Sequence, residues 1–123
     1  MAEPAMRHPF IDDLGADVVL VSSVLRRSVQ GRDLVLKVVK AGAGQYLTQM
    51  PRFLGSIGER SYFEYDVTLA DNLQAAGLVS ILRNATGEVT HLHIAFSPLG
   101  SVLAIAAGAK ERLTGELDAE LFL

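Results

Sequence analysis

The stretch that decides the fold is NLQAAGLVSILRNATGEVTHLHIAFSPL, residues 72–99. Two apolar runs, residues 78–82 and 89–96, flank the polar punctuation Arg83-Asn84-Ala85-Thr86-Gly87-Glu88. Asn and Gly tolerate the positive φ angles of a tight turn, and the flanks are rich in Val, Ile and Leu. The pattern predicts a β-hairpin with a loop of several residues. Upstream, residues 61–70 alternate cleanly. Phe63, Tyr65, Val67 and Leu69 take one face and Glu64, Asp66 and Thr68 the other, as in a half-buried strand. Downstream of Pro98, the apolar positions Leu99, Val102, Leu103, Ala106, Ala109 and Leu113 keep a helical period over residues 99–113.

Toward the N-terminus, residues 16–25 (ADVVLVSSVL) are β-branched and predict a strand, with Ser22-Ser23 as a bend or bulge. Residues 8–15 read as one or two helical turns. Pro9 suits the first helical position, Asp12 and Asp13 favour the positive end of the helix, and Gly15 suits the stop. Gly31 opens a helix from Arg32 to about Ala41, with Leu34, Val35, Val38 and Val39 in one buried stripe and Lys37 and Lys40 in its last turns. Residues 45–54 stay open between a helix broken at Pro51 and a covering loop. Asp71-Asn72 reads as a turn. The order is helix, strand, helix, three consecutive strands, helix, which makes an α+β fold with an antiparallel sheet. The expected organisation is a single domain over residues 1–123, with residues 1–8 frayed and residues 114–123 a C-terminal tail. Leu117, Leu121, Phe122 and Leu123 in that tail are expected to dock on the domain or on a partner subunit.

The totals narrow the function. The chain has 123 residues, half of them hydrophobic, and a net charge of −3. An apolar excess of this kind points to a lined cavity, an oligomer interface, or both. Scattered basic residues leave no electrostatic footprint for nucleic acid. The absence of cysteine excludes disulfides, thiolate metal sites and thiol catalysis. The start, MAEPAMRHPF, lacks the apolar core of a secretory signal. The longest charge-free stretch, residues 89–109, is interrupted by His91, His93, Ser97, Pro98, Gly100 and Ser101, which a membrane span of roughly 20 mostly apolar residues would not carry. The expectation is a soluble cytoplasmic protein.

Three strings in this order resemble the nuclear transport factor 2-like superfamily, in its SnoaL-like, ketosteroid-isomerase-like branch. They are Ala16-Asp17-Val18-Val19-Leu20 followed by Gly31-Arg32-Asp33, residues 77–89 (GLVSILRNATGEV), and residues 94–99 (IAFSPL). The resemblance covers residues 9–113. It implies a cone-shaped domain whose curved antiparallel or mixed sheet wraps around helices and encloses an apolar pocket. The chain departs from the family in having a shortened N-terminal helical region. It also carries Val79, Ile94 and Val21 where members carry an Asp on the central strand, an Asp on the next strand, or a His on the first. Aliphatic side chains cannot move a proton, so on this resemblance the usual chemistry is absent.

The candidate sites each have an ordinary alternative. His91 and His93, at i and i+2, share one face of a strand and could form half of a metal site or an acid–base pair. No third ligand with matching spacing is present, so no metal is expected, and the resemblance turns both outward toward a dimer face. Glu64 and Asp66 could share a proton, but their alternation with Phe63, Tyr65 and Val67 favours the polar outer face. Asp12 and Asp13 read as helix charge. Tyr65, on the inner face, could donate to a ligand carbonyl or could simply pack. Tyr46, Met50 and Phe53 read as a lid, a pocket lining or plain core. The resemblance adds Val79, Ile94 and Phe96 as lining. Gly42-x-Gly44 follows a helix and lacks the third glycine of a dinucleotide fingerprint.

Three functions therefore compete. The first is a domain binding a small apolar molecule without chemistry or cofactor. The second is an isomerase or polyketide-cyclase-type enzyme that abstracts a proton next to a carbonyl, its base drawn from His91, His93, Asp66 or Asp71 with Tyr65 polarising the carbonyl. The third is a dimeric interaction module with a filled pocket. A homodimer through the sheet face fits all three.

Overall fold

In the computed structural model, which describes residues 8–123, every strand joins one sheet. The strands are β1 (Leu14–Ser22), β2 (Val29–Gln30), β3 (Thr48–Ile57), β4 (Arg60–Thr68), β5 (Gln74–Arg83) and β6 (Val89–Ser97). Their spatial order is β2-β1-β6-β5-β4-β3, antiparallel except where β1 runs parallel to β6. Two helices, α1 (Arg32–Ala43) and α2 (Leu99–Arg112), pack on one face of this mixed sheet. The architecture is α+β, with the curved sheet wrapping the helices.

The expected hairpin is present as β5 and β6, and its loop is built around one side chain. Asn84 Oδ1 accepts from Thr86 N at 3.0 Å, Thr86 Oγ1 at 2.8 Å and Glu88 N at 3.0 Å, the pattern by which Asn replaces a backbone acceptor in turns. Inward residues Val79, Ile81, Leu92 and Ile94 meet Val35, Val38 and Val39 of α1 and Val102, Ile105 and Ala106 of α2 in the core. The opposite face of the sheet carries Val21, Leu78, His91, His93 and Ala95. Among the described residues, no helix is long and apolar enough to cross a membrane.

The structure corrects several expectations. Residues 45–54 are neither helix nor loop; most of them belong to the edge strand β3, which forms a hairpin with β4 through Gly58 at φ 60°. An edge strand tolerates Pro51, whose missing N–H would interrupt an interior ladder. Four strands therefore run consecutively, not three. The N-terminal helix shrinks to a single 3-10 turn, Ile11–Asp13, because Leu14 already has extended angles and starts β1. Gly15 lies in that strand instead of stopping a helix. β1 ends at Ser22, short of Leu25. Fraying expected for residues 1–7 lies outside the described residues; His8 has its Nδ1 facing the amides of Phe10 and Ile11, each at 3.2 Å. The C-terminal tail docks on its own domain. Leu25 bridges Phe122, Arg26 N donates to Leu121 O at 2.8 Å, and Arg26 Nε donates to Phe122 O at 2.9 Å.

Candidate functional site

Alternation along β4 turns Phe63, Tyr65 and Val67 toward the helices, and alternation along β1 does the same for Val18, Leu20 and Ser22. Between these strands, α1 and α2 lies a cavity of about 60 Å³ that opens to solvent. Aliphatic and aromatic side chains make up most of its wall, with Val38, Val39, Ile94, Phe96 and Ile105 among them. Its polar members are His8, Ser22, Tyr46, Gln49 and Tyr65. The exposed residues of the lining, His8, Ala43 and Gln49, stand at the mouth.

Two tyrosines dominate the chemistry. Tyr46 follows the end of α1, where Gln45 Nε2 ties the turn down by donating to Ala41 O at 3.1 Å and to Ile105 O of α2 at 3.0 Å. The hydroxyls of Tyr46 and Tyr65 lie 3.0 Å apart in a hydrogen bond. Tyr65 stacks on Phe63 with ring centroids 5.0 Å apart, and the Tyr46 ring stands edge-on to Phe96. Burial pushes the Tyr46 phenol far up, and the neighbouring Tyr65, through its charge and the shared hydrogen bond, pushes it further. Burial also raises Tyr65, opposed by its bond to Tyr46. Both are O–H groups at neutral pH. One proton makes the mutual bond, which leaves the other O–H free to donate.

Two further donors face the cavity. Ser22 Oγ accepts from Val24 N at 3.3 Å, so its own proton is available to a guest. His8 Nδ1 accepts from the amides of Phe10 and Ile11, which places the neutral ring's proton on Nε2. Burial lowers the His8 pKa, opposed by the charge of Asp12, and so favours that neutral form. Among the described residues, no carboxylate lines the cavity.

The residues singled out from sequence divide between the two faces of the sheet. Tyr46, Tyr65, Ile94 and Phe96 line the cavity together. Val79 is buried in the core beside them, outside the lining. Met50 and Phe53 are 66% and 52% exposed on the outer face, because β3 pairs them with Asp66 and Glu64. His91 and His93 are exposed on that same outer face, beside Val19 and Val21 of β1. Asp66 is there too, in an ion pair with Arg52. Asp71 is exposed in a turn at φ 61°. Val21, also outward, is not the inward group of β1; that group is Ser22. Ser22, read from the sequence only as part of a bend, carries the signal of the next inward position after Val18 and Leu20. His8 gave no local signal, since a distant arginine holds its segment. Among the described residues, no three His, Asp or Glu side chains converge as a metal site.

No protein-family model matches the sequence, and no curated protein matches it significantly. Solved structures do. A protein of Silicibacter pomeroyi with a cystatin-like fold superposes with a TM-score of 0.79 at 20% identity, over 86% of this chain and 74% of its own. A steroid delta-isomerase of Pseudomonas aeruginosa gives 0.78 at 14% identity, over 85% and 77%. A nuclear transport factor 2-like protein of unknown function from Burkholderia xenovorans gives 0.61 at 18% identity, over 71% and 66%. The fold is thus the nuclear transport factor 2-like cone shared with steroid isomerases and SnoaL-like proteins.

Proposed function

We propose that this chain binds a small, mainly apolar molecule through one carbonyl or similar acceptor oxygen, and does no proton-transfer chemistry on it. The observation that carries the reading is the Tyr46–Tyr65 hydroxyl pair inside an apolar cavity. A buried O–H with spare donor capacity favours a ligand acceptor, because a low-dielectric wall strengthens that bond and penalises leaving it unmade. Drug-sized ligands occupy pockets of roughly 300 Å³ or more. A cavity of about 60 Å³ is smaller than that, so it takes the polar end of the ligand while the apolar remainder lies outside it.

An isomerase of the expected type needs a base beside the carbonyl. His91, His93 and Asp66 sit on the wrong side of the sheet for that work. His8 Nδ1 is already engaged by two amides, so it offers the cavity a donor and no lone pair. The small volume favours, as a second reading, a dimeric interaction module with a filled pocket. The spare protons of Ser22 and the tyrosine pair argue against it, since a purely structural filling would satisfy or remove them.

A homodimer accompanies the proposed function. Val21, Met50, Phe53 and Leu78 are exposed on one sheet face, where a second copy could cover them in an isologous contact.

The test uses cyclopentanone and its acceptor-free isostere methylenecyclopentane, titrated against the ¹⁵N-labelled protein by NMR. The expected result is shifts at Tyr46, Tyr65 and Ile94, a preference for the ketone, and loss of that preference by about tenfold in Tyr65→Phe. Equal binding of the two probes sinks the carbonyl reading, and no binding of either favours the interaction module.

A further inference from the structure

His8 and Phe10 border the cavity on one side, and the segment that carries them, residues 8–13, is held by a side chain from the far end of the hairpin. Arg83, the last residue of β5, donates through Nη2 to Pro9 O at 2.6 Å and through Nη1 to Asp13 Oδ2 at 2.9 Å. The same Nη1 donates to Gly87 O at 2.8 Å, which fixes the guanidinium against the hairpin loop that Asn84 organises. The Arg83 and Asp13 side chains are only 27% and 24% exposed. Where β1 begins, Arg32 Nε donates to Leu14 O at 2.9 Å, so the segment is anchored at its end as well.

What the segment carries matters for the cavity. Phe10 is 4% exposed and forms part of the wall, and His8 stands at the mouth with its ring edge-on to Phe10 at 4.5 Å. Lifting residues 8–10 would take away both groups and widen the mouth of the cavity. We propose that residues 8–13 are a strap across the cavity and that Arg83 is the positioning residue that keeps it closed, so that Phe10 and His8 determine what the cavity admits.

The argument is geometric. A planar guanidinium with several donors can hold a carbonyl of the strap, a carboxylate of the strap and a carbonyl of the loop together, whereas an ammonium point charge cannot reproduce that fork. The bonds span 74 and 70 residues of sequence, so they tie the segment to the hairpin across the fold. The inference rests on the cavity being the binding site, but its test does not use the carbonyl probe.

Xenon enters apolar cavities without needing a hydrogen bond, so it reports access alone. The experiment follows xenon-induced shifts and exchange at the methyls of Val39, Ile94 and Ile105, together with amide hydrogen exchange, in the wild type, Arg83→Gln and Arg83→Lys. The expected result is that Arg83→Gln raises exchange at the Phe10 and Ile11 amides at least tenfold and speeds xenon exchange in step. Amides of Val18 and Ile81 should stay protected, and Arg83→Lys should fall between. Xenon entry only in Arg83→Gln would also support the strap. Faster strap amides with unchanged xenon exchange, protected strap amides in both variants, or xenon absent from every form would each overturn it. Failure of ketone preference with a positive xenon result would remove the carbonyl reading and leave the strap standing.

Discussion

Tyr65 of β4 lies directly opposite Gly77 of β5, and its ring covers the space where a side chain at Gly77 would stand. A Cβ added there would come within 2.7 Å of Tyr65 Oη and Cε2. Glycine at this position lets the ring lie across the strand and aims the hydroxyl at Tyr46. Gly77→Ala should therefore push Tyr65 out of place, at a cost of about 1–3 kcal/mol from overpacking, and break the tyrosine pair. Chemical denaturation measures the first effect. Loss of the ketone preference measures the second. Wild-type stability in Gly77→Ala would show that the Tyr65 ring is free to move and that its pose does not organise the site.

The outer face of the sheet gives the next prediction. Leu78 is 44% exposed at the middle of that face, opposite Ala95. Leu78→Glu puts a charge where two copies would meet and should yield a monomer in sedimentation velocity. The cost to the monomer's own stability should be small, within about 0.5 kcal/mol, as for surface substitutions generally. A wild-type protein that already sediments as a monomer at high concentration would remove the dimer.

Sequence periodicity made β4, β5, β6 and both helices legible, because each buries one face against the core and so must alternate or repeat. Tyr65 followed from the same logic, whereas Ile94 and Phe96 came from the family resemblance. β3 was not legible. As an edge strand its residues are exposed on both faces, so no alternation is imposed, and Pro51 reads as a breaker. Met50 and Phe53 were thereby placed at the pocket when they belong outside. His8 escaped for a different reason. Its position depends on Arg83, more than seventy residues away, and pairings of that range leave no local pattern.

The tail is a separable test of the core. Phe122 is 1% exposed and sits in the core cluster with Leu121, Val24 and Leu25. Phe122→Ala removes that buried ring and should cost about 3–5 kcal/mol, seen as a shifted denaturation midpoint with little change in slope. Truncation after Leu113 removes the ring together with the Arg26 bonds and should cost at least as much. Unchanged melting of the truncated chain would mean the tail lies on the domain without stabilising it.

The strap brings a pH dependence whose sign follows from its hydrogen bonds. His8 Nδ1 accepts from two amides, and a proton there would turn both contacts repulsive. Burial lowers its pKa below 6.5 in the folded state, while Asp12 pulls it back up. Asp13 is bound to Arg83, and the other titratable groups on the cavity side, Tyr46 and Tyr65, stay neutral in this range. A depressed histidine pKa contributes stability that is present above about 6.5 and lost as pH falls from there through the lower folded value. His8 is exposed on one side, so the effect on global stability should stay below about 1 kcal/mol after solvent screening. The local effect should be larger. Exchange at the Phe10 and Ile11 amides, corrected for intrinsic rates, should rise as pH drops below 6.5, and His8→Ala should abolish that dependence. Ring ¹⁵N shifts should place the neutral-pH proton on Nε2. A proton on Nδ1, or a folded pKa above 6.5, would show that the turn is not held by the histidine and that the strap relies on Arg83 alone.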